Sequence, residues 1–391
     1  MNIPTLRPTT PLTVNSITSW APEAPVLRVM IYVWLVFGLV VLYSASLPQG
    51  LREFKDPTHF FMLQLLWVTL GVGVFETVIR TPLVYWWRGS PFLFGTVFLA
   101  VLATQWVGVE LNGADRWLAL GPVSLQPSEF AKPLLVLQTA WVIDRWSQLR
   151  PPAQFFWGLA LVAMIGAVYT QPSLSMALLM AVVLWLMAFA GGFPLVYLVG
   201  SVGAAVAVIA LKVSTTAYQM KRLTSYLDPF APNQIQGAGY QVVQSLLAIG
   251  SGGWWGVGFG LSAQKVSFLP YPYSDFIFAV FAEEFGLVGV VGFLAFLTVF
   301  ALVGLRLSTR FSAARPVRLL AFGCTMMLVV QSLMHIGVVT GLLPPTGMPL
   351  PLVSYGGSAI WAALITCGLL VRAAREAGMV RLDVAPVQRG R

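Results

Sequence analysis

Long stretches of apolar side chains, separated by short polar or basic segments, set the rhythm of this chain. A helix needs about 20 mostly apolar residues to cross a bilayer. Runs near that length fall at 29–47, 60–79, 92–109, 130–143, 155–169, 174–190, 196–211, 276–305, 319–343 and 352–371. The pattern predicts an all-α polytopic membrane protein with about ten transmembrane helices. The fourth and fifth runs are short, and the eighth is long enough to project beyond the bilayer. Most connections are brief. Two are not: residues 110–127, and a long extracytoplasmic loop at 212–274, between helices 7 and 8. Both are expected to be irregular, and long irregular segments in a compact protein are usually functional. Within the second, Gly250, Gly252, Gly253, Gly256, Gly258 and Gly260 surround Trp254 and Trp255. Such a segment suits the edge of the bilayer, where tryptophan is at home.

Composition agrees with this pattern. Of the residues, 58% are hydrophobic and 9% charged, against roughly a quarter charged in soluble domains. Orientation follows from the basic residues, which are retained on the cytoplasmic side. With the N-terminus inside, fifteen of the 23 Lys and Arg residues fall on cytosolic segments and seven on outer ones, while Lys132 lies within a span. Both termini are therefore expected in the cytosol. Residues 1–24 read as a disordered tail, 25–375 as the membrane domain and 376–391 as a basic tail. The net charge of +9 is spread over short loops, which suits membrane orientation and anionic head groups rather than nucleic acid. Cys324 and Cys367 fall inside predicted spans and read as small buried residues. His59 and His335 are too far apart in sequence to suggest a metal site.

Four polar constellations stand out on the predicted outer side. The first joins Asn112, Gly113, Asp115, Arg116 and Trp117 to Gln126, Pro127, Ser128, Glu129 and Lys132. Glu129 and Lys132, three apart at a helix start, share a face. They form either a helix-orienting ion pair or part of a cavity, since a Lys inside a span normally turns toward one or toward an opposite charge. The second holds Lys221, Arg222, Asp228, Gln241 and Gln244, which could equally be solvated loop residues. The third runs from Lys265 to Asp275, at the mouth of a long helix that also carries Glu283 and Glu284. Asp275 could cap that helix or serve as a partly desolvated base. The fourth, from Pro344 to Ser358, is rich in proline and glycine and includes Ser354 and Ser358. Its hydroxyls and free N–H groups could hold an anion. Together they describe an outer site with one acid and several cations, suited to a lipid-linked anionic substrate.

These motifs resemble the SEDS family (FtsW, RodA and SpoVE). The resemblance rests on Asn112, Gly113, Ala114, Arg116 and Trp117; on Gln126, Pro127, Ser128, Glu129 and Lys132; on Tyr240, Gln241, Gln244 and Ser245; on Asp275 through Ala279; and on Pro349 through Ser358. It spans roughly residues 25–375. The glycine-rich segment and Ser262, Ala263, Gln264 and Lys265 look more like the family's division branch, FtsW, than its elongation branch, RodA. The resemblance implies a peptidoglycan glycosyltransferase that polymerises lipid II on the outer face of the cytoplasmic membrane. The implied partners are a class B penicillin-binding protein (a transpeptidase) and other divisome membrane proteins, at the septum. It implies Asp275 as the catalytic base on the acceptor hydroxyl. Lys132, Arg116 and Arg222 are candidates for the donor phosphates; Glu129, Gln241, Gln244, Lys265, Ser354 and Ser358 are further substrate-binding candidates. The motifs establish no cofactor and leave a divalent cation open.

The chain departs from the family pattern in three places. Ser173, Leu174 and Ser175 stand where Asp-Leu-Gly is usual, so no carboxylate role transfers there. Tyr271, Pro272, Tyr273 and Ser274 replace Glu-x-His-Thr beside Asp275, and His335 replaces an Asn. Three other roles compete: a lipid II flippase, an elongation polymerase of the RodA kind, and a scaffolding subunit. Concentration of the polar residues near one face disfavours a transport pathway and a purely scaffolding role.

Overall fold

A computed structural model describes residues 21–111, 114–120, 123–171, 173–216, 220, 224, 226–231, 239–310 and 313–379. Its helices are α1 (Glu23–Phe54), α2 (His59–Arg80), α3 (Leu83–Val107), α4 (Pro127–Arg145), α5 (Pro151–Thr170) and α6 (Leu174–Ala190). They continue with α7 (Leu195–Thr215), α8 (Tyr240–Gly252), α9 (Gln264–Ser267), α10 (Ile277–Ser308), α11 (Arg315–Val339) and α12 (Gly357–Met379). Each apolar run of the sequence contributes a helix. Among the described residues, eight of these helices are long and apolar enough to cross a membrane. The other two runs form α4, which carries Glu129, Lys132, Asp144 and Arg145, and the 17-residue α6.

Local chemistry explains where several helices begin. Pro127, Pro151 and Pro316 occupy first turns, where a missing N–H leaves no bond unmade. Along α1 the buried positions Ala24, Leu27, Ile31, Trp34, Gly38, Val41 and Ala45 recur every three or four residues, so one stripe faces the bundle. Val29, Val33, Val36 and Val40, on the other side, are exposed and suit lipid. Trp34 meets Phe293, Phe296 and Phe300 edge to face, with centroids 5.4–6.2 Å apart. Among the eight candidate spans α11 and α12 are the most enclosed, and α12 packs against α2, α11 and α4. A second apolar cluster joins α3, α4, α5 and α6 through residues such as Phe94, Leu135, Met164 and Met180. Helix α7 is peripheral, with α6 as its main neighbour.

The two ends of the bundle differ chemically. One gathers arginine: Arg28 pairs with Glu76 at 2.6 Å, Arg310 with Glu23 at 3.2 Å and Arg372 with Glu376 at 2.7 Å. Arg315 also donates to the Gly191 carbonyl at 2.8 Å. The opposite end carries the loops with the conspicuous motifs.

Four expectations need correction. The described residues between 109 and 125 are not irregular. Strands β1 (Val109–Leu111), β2 (Ala114–Leu120) and β3 (Val123–Leu125) form an antiparallel sheet in that order. Two-residue connections separate them, and the Asn112-Gly113 pair is a strong hairpin signal. The long loop is partly helical, because α8 buries Val242, Val243 and Ala248 in packing against α10. The eighth run is interrupted: Gly286, at φ 64° and ψ −167°, breaks α10 after about two and a half turns. The tenth run becomes helix only from Gly357, since Pro349 and Pro351 cannot donate ladder bonds, and it continues to Met379. The reading of 1–24 and 376–391 as tails falls mainly on residues outside those described. Glu23 and Ala24 already belong to α1, and residues 376–379 to α12.

Candidate functional site

The break in α10 creates the first polar assembly. Freed carbonyls of Glu283 and Glu284 accept bonds from Val257 N–H and Gly258 N–H at 3.0 and 3.2 Å. In return, Leu287 N–H and Val288 N–H bond the carbonyls of Gly253 and Trp254 at 2.9 and 3.1 Å. The glycine-rich segment is thus stitched along the helix break. Gly256, at φ 80°, lies against the Glu284 carbonyl so closely that a side chain has no room. Trp254 and Trp255 remain exposed. Beneath them, Glu284 pairs with Lys265 at 2.5 Å and accepts from Ser44 at 2.6 and 2.8 Å, while Lys265 also donates to Ser44 at 2.6 Å. Glu283 takes the Ser262 hydroxyl and the Ala263 N–H. All of these side chains are buried except that of Ala263. Lys265 is therefore engaged within the protein.

Asp275 sits, half-buried, in the turn that enters α10. Phe276 rather than Asp275 takes the N-cap position. The turn is held from the Pro-rich segment. Ser354 Oγ donates to the Ser274 carbonyl at 2.6 Å and accepts from Leu350 N–H at 2.8 Å, and Tyr355 N–H donates to the Tyr273 carbonyl at 3.0 Å. Gly347, at φ 65°, lies beside the carboxylate: a Cβ added there would stand 3.2 Å from Asp275 Oδ2. Tyr273 stacks on Phe60 with centroids 4.5 Å apart and meets Tyr355 edge-on. Burial pushes the Tyr273 hydroxyl well above its usual range, and Glu53 adds to the effect. This phenol stays protonated at neutral pH, so it cannot serve as the base.

A third assembly lies on the first turn of α4. Glu129 and Lys132 pair at 2.7 Å, both almost fully buried. Lys132 donates a hydrogen bond to Gln331 Oε1 at 2.9 Å, and Gln331 Nε2 continues to the Pro349 carbonyl at 2.8 Å. Ser358 Oγ accepts from Gln126 N–H at 3.0 Å, joining the starts of α4 and α12. Lys132, Ser354, Ser358 and the Asp275 turn are in this way brought together through one loop. Gln331 was not apparent from the motifs, although a glutamine inside an apolar run is the signal that could have found it.

The remaining candidates are more scattered. Gln241 and Gln244 lie half-buried on α8, whose Ser245 hydroxyl bonds the Val339 carbonyl at the end of α11 at 2.7 Å. Arg116 is half-buried on β2. Asn112, Gly113, Lys221 and Arg222 lie outside the described residues. Among the described residues no group of three His, Cys, Asp or Glu side chains is placed to hold a metal.

A bundle of apolar helices with an acid, a buried lysine and clasped polar loops at one end defines a polytopic membrane protein with a site at one mouth. The FTSW_RODA_SPOVE family model, described as "Cell cycle protein", matches residues 25–378, and the chain belongs to that family. A relative from Synechocystis sp., named "Probable peptidoglycan glycosyltransferase FtsW", is 44% identical over 358 residues, covering 91% of this chain and 90% of its own. A solved structure described as "Structural coordination of polymerization and crosslinking by a peptidoglycan synthase complex" contains a chain with a TM-score of 0.73 and 28% identity, covering 90% of this chain and 97% of that one. The rod shape determining protein RodA of Thermus thermophilus superposes with a TM-score of 0.64 at 27% identity, covering 89% and 95%.

Proposed function

We propose that this protein is a peptidoglycan glycosyltransferase of the FtsW type, polymerising lipid II into glycan strands for the septal wall. The observation that carries the reading is the Asp275 turn, clasped by Ser354 and Tyr355 on the same loop that Lys132 reaches through Gln331. Asp275 takes the proton from the acceptor sugar hydroxyl as its oxygen attacks the donor's anomeric carbon. The bond from that carbon to the pyrophosphate oxygen breaks, and the carbon inverts from α to β. One base on one side and cations on the leaving group satisfy this geometry. Lys132 hydrogen-bonds Gln331 and pairs in charge with Glu129, and its ammonium is the first candidate for a phosphate oxygen. Arg116 and Arg222 are the other candidates for that charge. Gln241, Gln244, Ser354 and Ser358 are placed to line the sugar path. Lys265 serves the fold. The arginine-rich end faces the cytosol with both termini, and a class B transpeptidase and other divisome membrane proteins are the partners.

Purified protein, its transpeptidase partner and labelled lipid II in liposomes test the reading. Glycan polymer is the expected product. Labelled lipid that only changes leaflet would make the protein a flippase, and an inert lipid pool would make it a scaffold.

A further inference from the structure

The Pro-rich loop has few ways to hold itself. Pro344, Pro345, Pro349 and Pro351 have no N–H, and the carbonyls of Met348 and Pro349 need donors from elsewhere. Both donors come from α11, one turn apart. His335 Nδ1 lies 2.7 Å from the Met348 carbonyl, and Gln331 Nε2 lies 2.8 Å from the Pro349 carbonyl. A carbonyl only accepts, so Nδ1 of His335 carries the proton. The Gln331 amide is oriented as well: its Oε1 must face the Lys132 ammonium, which only donates. Turned over, the amide would set donor against donor and oxygen against oxygen. On its other side the same loop seats the acid, through Leu350 N–H, Ser354 Oγ and the Ser274 carbonyl, with Gly347 against the carboxylate.

We infer that Gln331 and His335 are positioning residues. They form a two-donor clamp on the Met348–Pro349 stretch of the loop that sets Asp275 at its working distance from the acceptor hydroxyl. The inference rests on Asp275 being the base. Gln331 also makes the clamp responsive to Lys132, because one amide spans the ammonium and the loop carbonyl. Histidine and asparagine can play the same part at 335. Nδ1 of His and Nδ2 of Asn are both attached to Cγ, so either places a donor at the same point.

The test measures kcat and KM for labelled lipid II, per folded molecule, in the purified protein with its transpeptidase partner. His335→Leu and Gln331→Met each remove a donor and are expected to lower kcat at least about tenfold with KM little changed. His335→Asn is expected to restore most of kcat. Should His335→Leu fail to fold, the Gln331 variants still test the other half of the clamp. Should Gln331→Met fail to fold, Gln331→Glu reads the same bond. It keeps the acceptor for Lys132, lacks the donor for Pro349, and is expected to lose kcat by a similar factor. The inference is overturned by native kcat in the folded donor-less variants. A loss confined to KM, or an Asn variant no better than Leu, overturns it too. Asp275→Asn is assayed alongside. Activity retained there would remove the base itself, whereas a dead Asp275→Asn beside fully active clamp variants would remove only the clamp.

Discussion

At the scale of single residues, the sharpest question concerns Lys132. Its pair with Glu129 is buried and short, and a purely structural role would satisfy that geometry. Exchanging the two charges separates the roles. If Lys132 only pairs, Glu129→Lys with Lys132→Glu restores much of the activity lost in either single change. If it grips the donor pyrophosphate, the swap stays inactive, because a carboxylate then faces the phosphates. We expect the inactive outcome, with a loss of roughly ten- to a hundredfold from one charge-assisted contact worth about 1.5–3 kcal/mol. A thermal melt in detergent confirms that the swapped protein is folded. An active, folded swap would return the pair to a structural role. The residues that chemistry requires here were readable because acids and lysines are conspicuous in an apolar chain. Gln331 and Ser44 were not. Their partners lie 199 and 240 residues away, and no local spacing reports such a contact.

At the scale of elements, the helices were legible because run length and charge fix them. The small sheet is harder to see, because its strands are only three to seven residues long and the Asn112-Gly113 pair is its one clear hairpin signal. The interruption of α10 was hidden for another reason. Gly286 sits in an uninterrupted apolar run, and only the facing segment at Gly253–Gly258 makes a broken helix satisfiable. Burial likewise changes the meaning of Lys265. The family resemblance makes it a substrate-binding candidate, but its ammonium ties α1, α9 and α10 through Ser44 and Glu284. Lys265→Met would leave the Glu284 carboxylate buried and unpaired. Removing one partner of a buried pair typically costs about 3–5 kcal/mol, so we expect a clearly lower melting temperature in detergent. A native melt with weakened lipid II binding would instead make Lys265 a substrate ligand.

At the scale of the whole molecule, the arginine-rich end and the motif-bearing end are set by the same alternation of helices. Tags at residues 1 and 391 are expected to report the cytosol, and a tag inserted near residue 232 the outside. An externally accessible C-terminus would overturn the helix count and the placement of the site. Glycan synthesis through Asp275 is the central proposal. The most direct measurement is polymerisation of labelled lipid II by purified Asp275→Asn beside the native protein, each with the transpeptidase partner and each matched by melting temperature. The account predicts a folded variant that makes no polymer while the native protein does. Native polymer yield from the folded Asn variant would contradict it.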